Sequence, residues 1–241
     1  MPIASDGLDS WHRAVALGGQ GYYAAARAEL RRLPGHTSDP VLRSLAASTE
    51  GSFLRQLGWH AAASAYDGRA AALALPLDPA TPGRAAAVCD ALTGLAADAL
   101  GTGRLALAAR LLRRTEQTLG DADWRARLRR HWVGAETALA GGDAATARQE
   151  AELGLELAVA APSVRHQVKS RLLCAAAQLA SGEPDLARSN AELVAAQCRE
   201  HGLVPLRWAC AMLRTGLSDS AAATEAQTCE NVISRRGGHF R

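Results

Sequence analysis

The sequence predicts an all-α protein built as an α-solenoid of about six helix-turn-helix hairpins. Three observations support this fold class: a glycine that recurs at steps of 34 to 45 residues, small side chains at fixed distances on both sides of it, and no stretch with the alternating pattern of a β-strand. A step of this length accommodates two helices and their turns, so each step predicts one hairpin.

The recurring glycine is predicted to end the first helix of each hairpin. It lies at Gly21, Gly58, Gly103, Gly142, Gly182 and Gly216, and an alanine follows each of them five residues later. A small residue, either Ala or Gly, stands seven residues before each of them. Glycine readily adopts the left-handed conformation that ends a helix and reverses the chain. The small side chains let the paired helices approach closely where they cross.

Helix-breaking residues set the expected boundaries. First helices are expected at 8–19, 40–57, 83–101, 122–140, 163–181 and 203–215, and second helices at 22–33, 59–75, 104–119, 143–160, 184–201 and 218–233. Proline-rich joints at 33–40 and 75–83 separate the first three hairpins. The expected N-caps are Asp39, Asp121 or Asp123, and Ser218 or Asp219.

Two turn sequences resemble a known repeat family. The stretches "GYYAAA" at 21–26 and "GDAATA" at 142–147 are similar to the turn and second-helix start of tetratricopeptide repeats. The resemblance covers nearly the whole chain and implies a right-handed superhelix whose first helices line a concave binding surface. Trp11 and Trp132 do not stand at the family's usual tryptophan position, so the repeats are degenerate, and a related helical-repeat class fits the pattern equally well.

Composition limits the function classes. Apolar residues make up 48% of the chain and aromatic residues only 4%, while 54 residues are alanine, so the core is expected to consist of small side chains. The net charge of +3 is too small to predict nucleic acid as a partner. The five cysteines include no C-x-x-C pair, which argues against a disulfide framework or a zinc site. The N-terminus does not resemble a leader sequence, and no apolar run is long enough to span a membrane. We therefore expect a cytoplasmic protein without a membrane segment.

No motif predicts catalysis or a cofactor. The chain has no glycine-rich phosphate loop between a strand and a helix. Its seven histidines show no H-E-x-x-H or other paired metal-binding pattern. Ser170, Cys174 and Cys198 lie outside any recognisable nucleophile motif, and buried cysteines usually act as compact apolar residues. We therefore expect a protein that is not an enzyme and that binds no cofactor or metal.

The first helices supply the candidate binding residues. Counting 13, 10 and 6 residues back from each turn glycine gives Leu8, Trp11, Val15, Leu45, Ser48, Ser52, Asp90, Thr93, Ala97, Arg129, Trp132, Glu136, Lys169, Leu172, Ala176, Leu203, Leu206 and Cys210. The charge is concentrated in the fourth and fifth hairpins. There, Arg125, Arg129 and Trp132 are expected to share one exposed face that holds an acidic or aromatic partner segment, beside Glu136, Lys169 and Leu172. The alternative is a solvated helix start.

Within the tetratricopeptide-repeat family, chaperone-binding members hold a peptide carboxylate between lysine, asparagine and arginine side chains of successive first helices. The predicted groove contains no asparagine and a single lysine. Chaperone C-termini are therefore not expected as ligands.

The repeat domain is expected to span 1–233, and the remaining residues 234–241 form a basic tail, "SRRGGHFR". Arg235, Arg236 and Phe240 are its candidate partner-binding residues. One interpretation is a frayed end. Another is that the tail folds back to cover the last hairpin, with Phe240 over an apolar stripe and the arginines near Glu225 or Glu230. When displaced from the last hairpin, the tail would present its arginines and Phe240 to a partner.

The sequence thus favours a protein-binding adaptor or regulatory scaffold, which uses the concave face of the solenoid to hold a segment of another protein in a bacterial regulatory or assembly system. The alternative is a ligand-sensing regulator that binds a small molecule in the same groove. The adaptor predicts a continuous open groove, whereas the sensor predicts a pocket with several converging polar groups.

Overall fold

A computed structural model describes residues 6–120 and 123–241. Within these ranges the chain forms twelve α-helices and no β-strand. The helices are α1 Gly7–Gly19, α2 Tyr23–His36, α3 Pro40–Gln56, α4 His60–Ala74, α5 Arg84–Gly101, α6 Leu105–Thr118, α7 Trp124–Ala140, α8 Ala144–Val159, α9 Val164–Ala180, α10 Pro184–Glu200, α11 Val204–Gly216 and α12 Ala222–Arg235. The prediction of an all-α fold is confirmed.

The observed helices match the expected boundaries closely, with two exceptions. Helix α2 continues to His36 and contains Pro34 in its last turn, although the sequence predicts that it ends at residue 33. Helix α12 begins at Ala222, four residues later than expected. Pro34 lacks the N–H that would bond to the carbonyl four residues earlier, but it lies so close to the end of α2 that the preceding turns stay intact.

The turn glycines behave as expected in five of the six hairpins. Their φ angles are positive, at +83° for Gly21, +84° for Gly58, +77° for Gly103, +75° for Gly142 and +80° for Gly182. Gly216 instead forms the last residue of α11, and the left-handed residue of this turn is Ser218, with φ +62°. The prediction that Gly216 adopts the left-handed conformation is therefore wrong. The later turn also moves the buried alanine of α12 from the expected Ala221 to Ala222, which is 0% exposed.

Aspartate side chains begin several helices. Asp39 Oδ1 accepts a hydrogen bond from the backbone N–H of Val41 at 2.9 Å, and Asp123 Oδ1 accepts one from Ala126 at 2.9 Å. Asp219 Oδ1 accepts one from the N–H of Ala221 in the turn before α12. Asp121, the alternative cap of α7, lies outside the described residues.

The chain divides into two compact units. Unit 1 comprises Met1–Gly18, Tyr22–Arg130 and Arg236–Arg241, and unit 2 comprises Gly19–Gly21 and His131–Arg235. In unit 1, α3 packs against α4 and α5, and α5 packs against α6. In unit 2, α9 packs against α8, α10 and α11, and α11 packs against α12. In each unit a first helix thus contacts its own second helix and the next first helix, which is consistent with a helical repeat.

Small side chains fill the helix crossings. The alanines at the predicted crossing positions that are 0% exposed are Ala14, Ala26, Ala63, Ala96, Ala108, Ala135, Ala147, Ala175 and Ala187. The five cysteines are free and buried in the same layers. Burial raises the pKa of the Cys210 thiol to about 11, so it remains protonated and donates to the Ala191 carbonyl at 3.2 Å. The described residues contain no helix of the length and apolarity that crossing a membrane requires.

The alanine crossings can be tested within unit 2. Replacing Ala147 or Ala187 with Leu should overpack a crossing and lower the free energy of unfolding by about 1–3 kcal/mol. Ala145 lies on the exposed side of α8, so Ala145→Leu is the matched control and should be nearly neutral. Thermal unfolding of the three variants measures the difference. Equal losses at all three sites would contradict this register.

Candidate functional site

Two tryptophans make the same hydrogen bond in different units. The indole Nε1 of Trp11 donates to Thr49 Oγ1 at 3.0 Å in unit 1, and that of Trp132 donates to Ser170 Oγ at 2.8 Å in unit 2. The acceptor lies 38 residues after the tryptophan in both cases. Both tryptophans stand ten residues before a turn glycine, and both bonds join successive first helices.

The predicted exposed face around Trp132 is largely buried. The Trp132 side chain is only 5% exposed, because its ring stacks on His166 with a centroid distance of 5.2 Å. Lys169 Nζ lies 4.5 Å from the Trp132 ring centroid and 3.2 Å from Glu136 Oε1. Leu172 packs against the apolar core of unit 2. The expectation that Trp132 offers exposed apolar area to a partner is therefore wrong.

Arg125 and Arg129 bind a buried carboxylate of their own unit. Arg125 Nη1 lies 2.6 Å from Asp90 Oδ2, and Arg129 Nη1 lies 2.7 Å from Asp90 Oδ1. Burial alone would raise the pKa of Asp90, but the two arginines outweigh it and hold the pKa below its usual value. Arg125 also lies over the Trp11 ring, 5.7 Å from its centroid. The sequence places these arginines on one face correctly, but that face is directed at Asp90.

A second ionic cluster in unit 1 is absent from the sequence-based candidates. Arg55 Nη1 of α3 donates to Asp67 Oδ2 of α4, and it lies 3.1 Å from Asp98 Oδ1 of α5. The two aspartate side chains are 0% and 1% exposed. Their remaining oxygens, Asp67 Oδ1 and Asp98 Oδ2, accept no hydrogen bond from the residues that the structure describes. One arginine thus faces two buried carboxyl groups.

Glycines provide the space for the Asp67 carboxyl group. A Cβ atom at Gly51 of α3 or at Gly94 of α5 would overlap the Asp67 carboxyl oxygens. Asp90, Gly94 and Asp98 recur every four residues and therefore share one stripe of α5. This spacing, in a helix otherwise rich in alanine, is the sequence signal that indicates the cluster.

Burial controls the ionisation of the two carboxyl groups. It raises the pKa of Asp67 and raises the pKa of Asp98 to about 7, although Arg55 opposes both shifts. Repulsion between two negative charges adds to the effect, because the Asp67 carboxylate also raises the pKa of Asp98. Between the usual pKa of an aspartate and about 7, the folded protein therefore binds more protons at this cluster than the unfolded chain does.

The C-terminal tail contacts the turns of the first two hairpins. The Arg236 carbonyl accepts a hydrogen bond from the Ala24 N–H at 2.9 Å, and the Arg241 N–H donates to the Leu57 carbonyl at 3.0 Å. The Trp59 indole donates to the His239 carbonyl at 2.7 Å. The Arg236 guanidinium lies 3.8 Å from the centroid of the Tyr22 ring.

The expected packing of the tail on the last hairpin is therefore wrong. Glu225, one of the carboxylates expected to attract the tail arginines, instead binds Arg199, Arg207 and Arg214. Arg235 ends α12 in unit 2, whereas Arg236 and Phe240 belong to unit 1. The backbone of the tail instead forms hydrogen bonds with residues in the turns of unit 1.

A groove in unit 2 offers an accessible surface. We call it the α8–α10 groove; its volume is about 200 Å³, and its lining residues are Arg148, Glu152, Leu155, Arg171, Cys174, Ala177, Gln178 and Asn190. None of them is among the predicted partner-binding residues. The predicted binding residues lie on first helices and in the C-terminal tail, whereas second helices α8 and α10 contribute to this groove together with α9.

Most polar groups of the α8–α10 groove are paired. Arg148 binds Glu152 at 2.9 Å and Glu183 at 2.8 Å. Asn190 Nδ2 donates to Gln178 Oε1 at 2.8 Å. Arg171 Nη1 donates to the neutral Gln197 Oε1 at 3.2 Å, and Arg171 forms no ion pair with any described residue. The groove therefore contains one guanidinium, that of Arg171, that forms no ion pair with a carboxylate of the described residues.

Replacing Trp132 tests whether it is a core residue. Trp132→Ala should lower the free energy of unfolding by about 3–5 kcal/mol because it removes a buried ring. Trp132→Phe keeps most of the ring but leaves the Ser170 hydroxyl without its donor, and it should cost about 1 kcal/mol. Chemical denaturation measures both values. A neutral Trp132→Ala variant would restore the exposed-face prediction.

The carboxyl pair predicts a pH dependence. Because the pKa of Asp98 is raised on folding, its contribution to stability should fall as the pH rises from about 4 to about 7. Asp98→Asn mimics the protonated group, so the stability of the wild type relative to this variant should fall by up to about 1.4 kcal/mol per pH unit. Urea denaturation at several pH values provides the measurement. A constant difference between the two proteins would show that Asp98 ionises normally.

Comparisons with known proteins found no relative from which a function could be inferred. The chain matches no model of a protein family, and no curated protein matches it significantly. The likeness to tetratricopeptide repeats therefore stays a prediction that rests on the turn glycines and the small residues at helix crossings. Function has to be inferred from the surfaces and charges described above.

Proposed function

We propose that the protein is a non-enzymatic adaptor that binds a segment of another protein, and that the α8–α10 groove is its docking surface. This proposal keeps the function class that the sequence favours. It moves the binding surface away from the predicted first-helix residues, because Trp132 is buried and both Arg125 and Arg129 bind Asp90.

The observation that carries the proposal is a pair of exposed leucines beside the groove. Leu186 and Leu193 of α10 are 45% and 48% exposed. They lie four residues before and three residues after Asn190, which lines the groove, so all three share one side of α10. Aliphatic residues at this spacing are the anchors by which a helical surface holds a partner segment.

The ionic clusters of unit 1 support a structural role for its titratable groups. Asp90 binds two arginines, and Asp67 and Asp98 share Arg55 inside the helix layers. Buried charges that are paired with one another stabilise a particular helix arrangement without meeting a substrate. These clusters favour a binding protein over an enzyme.

The small-molecule alternative also has a specific observation in its favour. Arg171, Gln178 and Asn190 converge on the same groove, as the sensor hypothesis predicts of a ligand pocket. The exposed leucines at its edge have no role in that hypothesis. We therefore rank it second.

Selection from a random peptide display library tests the adaptor proposal. Peptides that bind the wild type should bind the double variant Leu186→Gln/Leu193→Gln about thirtyfold more weakly, because burying two half-exposed leucines contributes about 2 kcal/mol. Met212 of α11 is 50% exposed and lies outside the groove lining, so Met212→Gln is the matched control. Circular dichroism checks that all variants remain helical. Peptides that bind both variants equally well would contradict this docking surface.

A further inference from the structure

Resting on that proposed function, we infer that the α8–α10 groove recognises an acidic side chain of the partner segment, with Arg171 binding its carboxylate. Aliphatic residues on either side of that acidic residue then cover Leu186 and Leu193. The partner is thus a protein segment with one carboxylate between two apolar anchors.

The pairing of the charges in the groove supports a carboxylate. Its lining contains two arginines and one glutamate. Arg148 already has two carboxylate partners, Glu152 and Glu183, so the charges of the two arginines and the two glutamates sum to zero. Arg171, however, has only the neutral amide oxygen of Gln197, and a guanidinium binds a carboxylate with two parallel hydrogen bonds.

Hydrogen-bond donors are also in excess at this position. Asn190 donates to Gln178 Oε1, so the Gln178 amide nitrogen keeps both of its hydrogens without a partner among the described residues. Arg171 uses only Nη1 in its bond to Gln197, which leaves its other nitrogens as donors. A carboxylate is an acceptor with two oxygens and pairs with a guanidinium or an amide N–H, whereas another donor cannot.

The fixed acidic residues distinguish a carboxylate from a phosphate. Glu152 lines the groove and Glu183 binds the same arginine. These two negative charges repel a dianionic phosphate more strongly than a singly charged carboxylate. The surface therefore fits an aspartate or glutamate better than a phosphorylated residue or nucleic acid.

The spacing of the anchors defines the partner sequence. Leu186 and Leu193 are separated by seven residues of helix, which is about 10 Å along the axis. A groove of about 200 Å³ admits one side chain between them. The complementary segment is a helix with aliphatic residues seven apart and Asp or Glu three or four residues from each, on the same face.

A synthetic helical peptide with a Leu-x-x-x-Glu-x-x-Leu face provides the probe, and fluorescence anisotropy measures its Kd. Replacing its Glu with Gln should weaken binding to the wild type about tenfold, and should change nothing for Arg171→Gln, because the two substitutions remove the same pair. Arg188 of α10 binds Asp185 and lies outside the groove, so Arg188→Gln is the control and should keep the full preference for Glu. Circular dichroism verifies that both variants fold.

The outcomes separate the two proposals. Peptides that need Leu186 and Leu193 but show no preference for an acidic residue overturn the carboxylate inference and leave the adaptor function standing. Loss of any dependence on the two leucines overturns the adaptor function itself. Tighter binding of a phosphoserine peptide, or Arg171-dependent binding of free succinate as tight as that of the peptide, overturns an acidic protein segment as the occupant.

Discussion

The close approach of helices is the constraint on which the structure depends. The chain has few aromatic residues, so its helices cannot be held apart by large side chains, and buried alanines occupy the crossings in both units. At short interaxial distances dispersion contacts are numerous, but there is little volume for polar side chains. A bulky buried polar group therefore requires a gap left by a glycine or a partner on the neighbouring helix.

Both solutions occur in this protein. The Asp67 carboxyl group fits between Gly51 and Gly94 and meets Arg55. Ser44 donates to the carbonyl of Ala70 at 2.8 Å, and Cys174 donates to that of Ala151 at 3.5 Å. Small donors directed at the backbone of the next helix satisfy hydrogen bonds without widening the crossing. A long side chain such as that of Arg55 lies between the helices only where carboxylates of neighbouring helices bind it, whereas Arg148 and Arg171 line a groove at the surface.

The repeat spacing predicted the helices well because it depends on local chemistry. A glycine with positive φ and an alanine five residues later act within one turn, so sequence suffices to place them. Ser218 shows the limit, because a serine can take the left-handed conformation when the chain requires it, and no local signal separates it from Gly216.

The candidate site was harder to predict because exposure depends on partners distant in sequence. The sequence places Arg129 and Trp132 in the correct helix, but their burial is decided by Asp90 and by Ser170 with His166, which lie about 35 to 40 residues away. The α8–α10 groove combines side chains from three helices, and none of these carries a motif. Patterns within one helix are therefore sufficient to predict the helices, whereas the exposure of each side chain depends on contacts between hairpins.

The position of Asp67 has a consequence for cooperativity. Repeat proteins tend to unfold one hairpin at a time from an end, because each unit contacts only its neighbours. Asp67 loses its water only when α3 and α5 both pack beside it, and Arg55 then joins three helices through a single side chain. Detaching α5 would expose both carboxyl groups to solvent at once and remove Asp98 from Arg55, which also joins α3 to α4. We therefore expect α3, α4 and α5 to unfold together, across the boundary between the second and third hairpins.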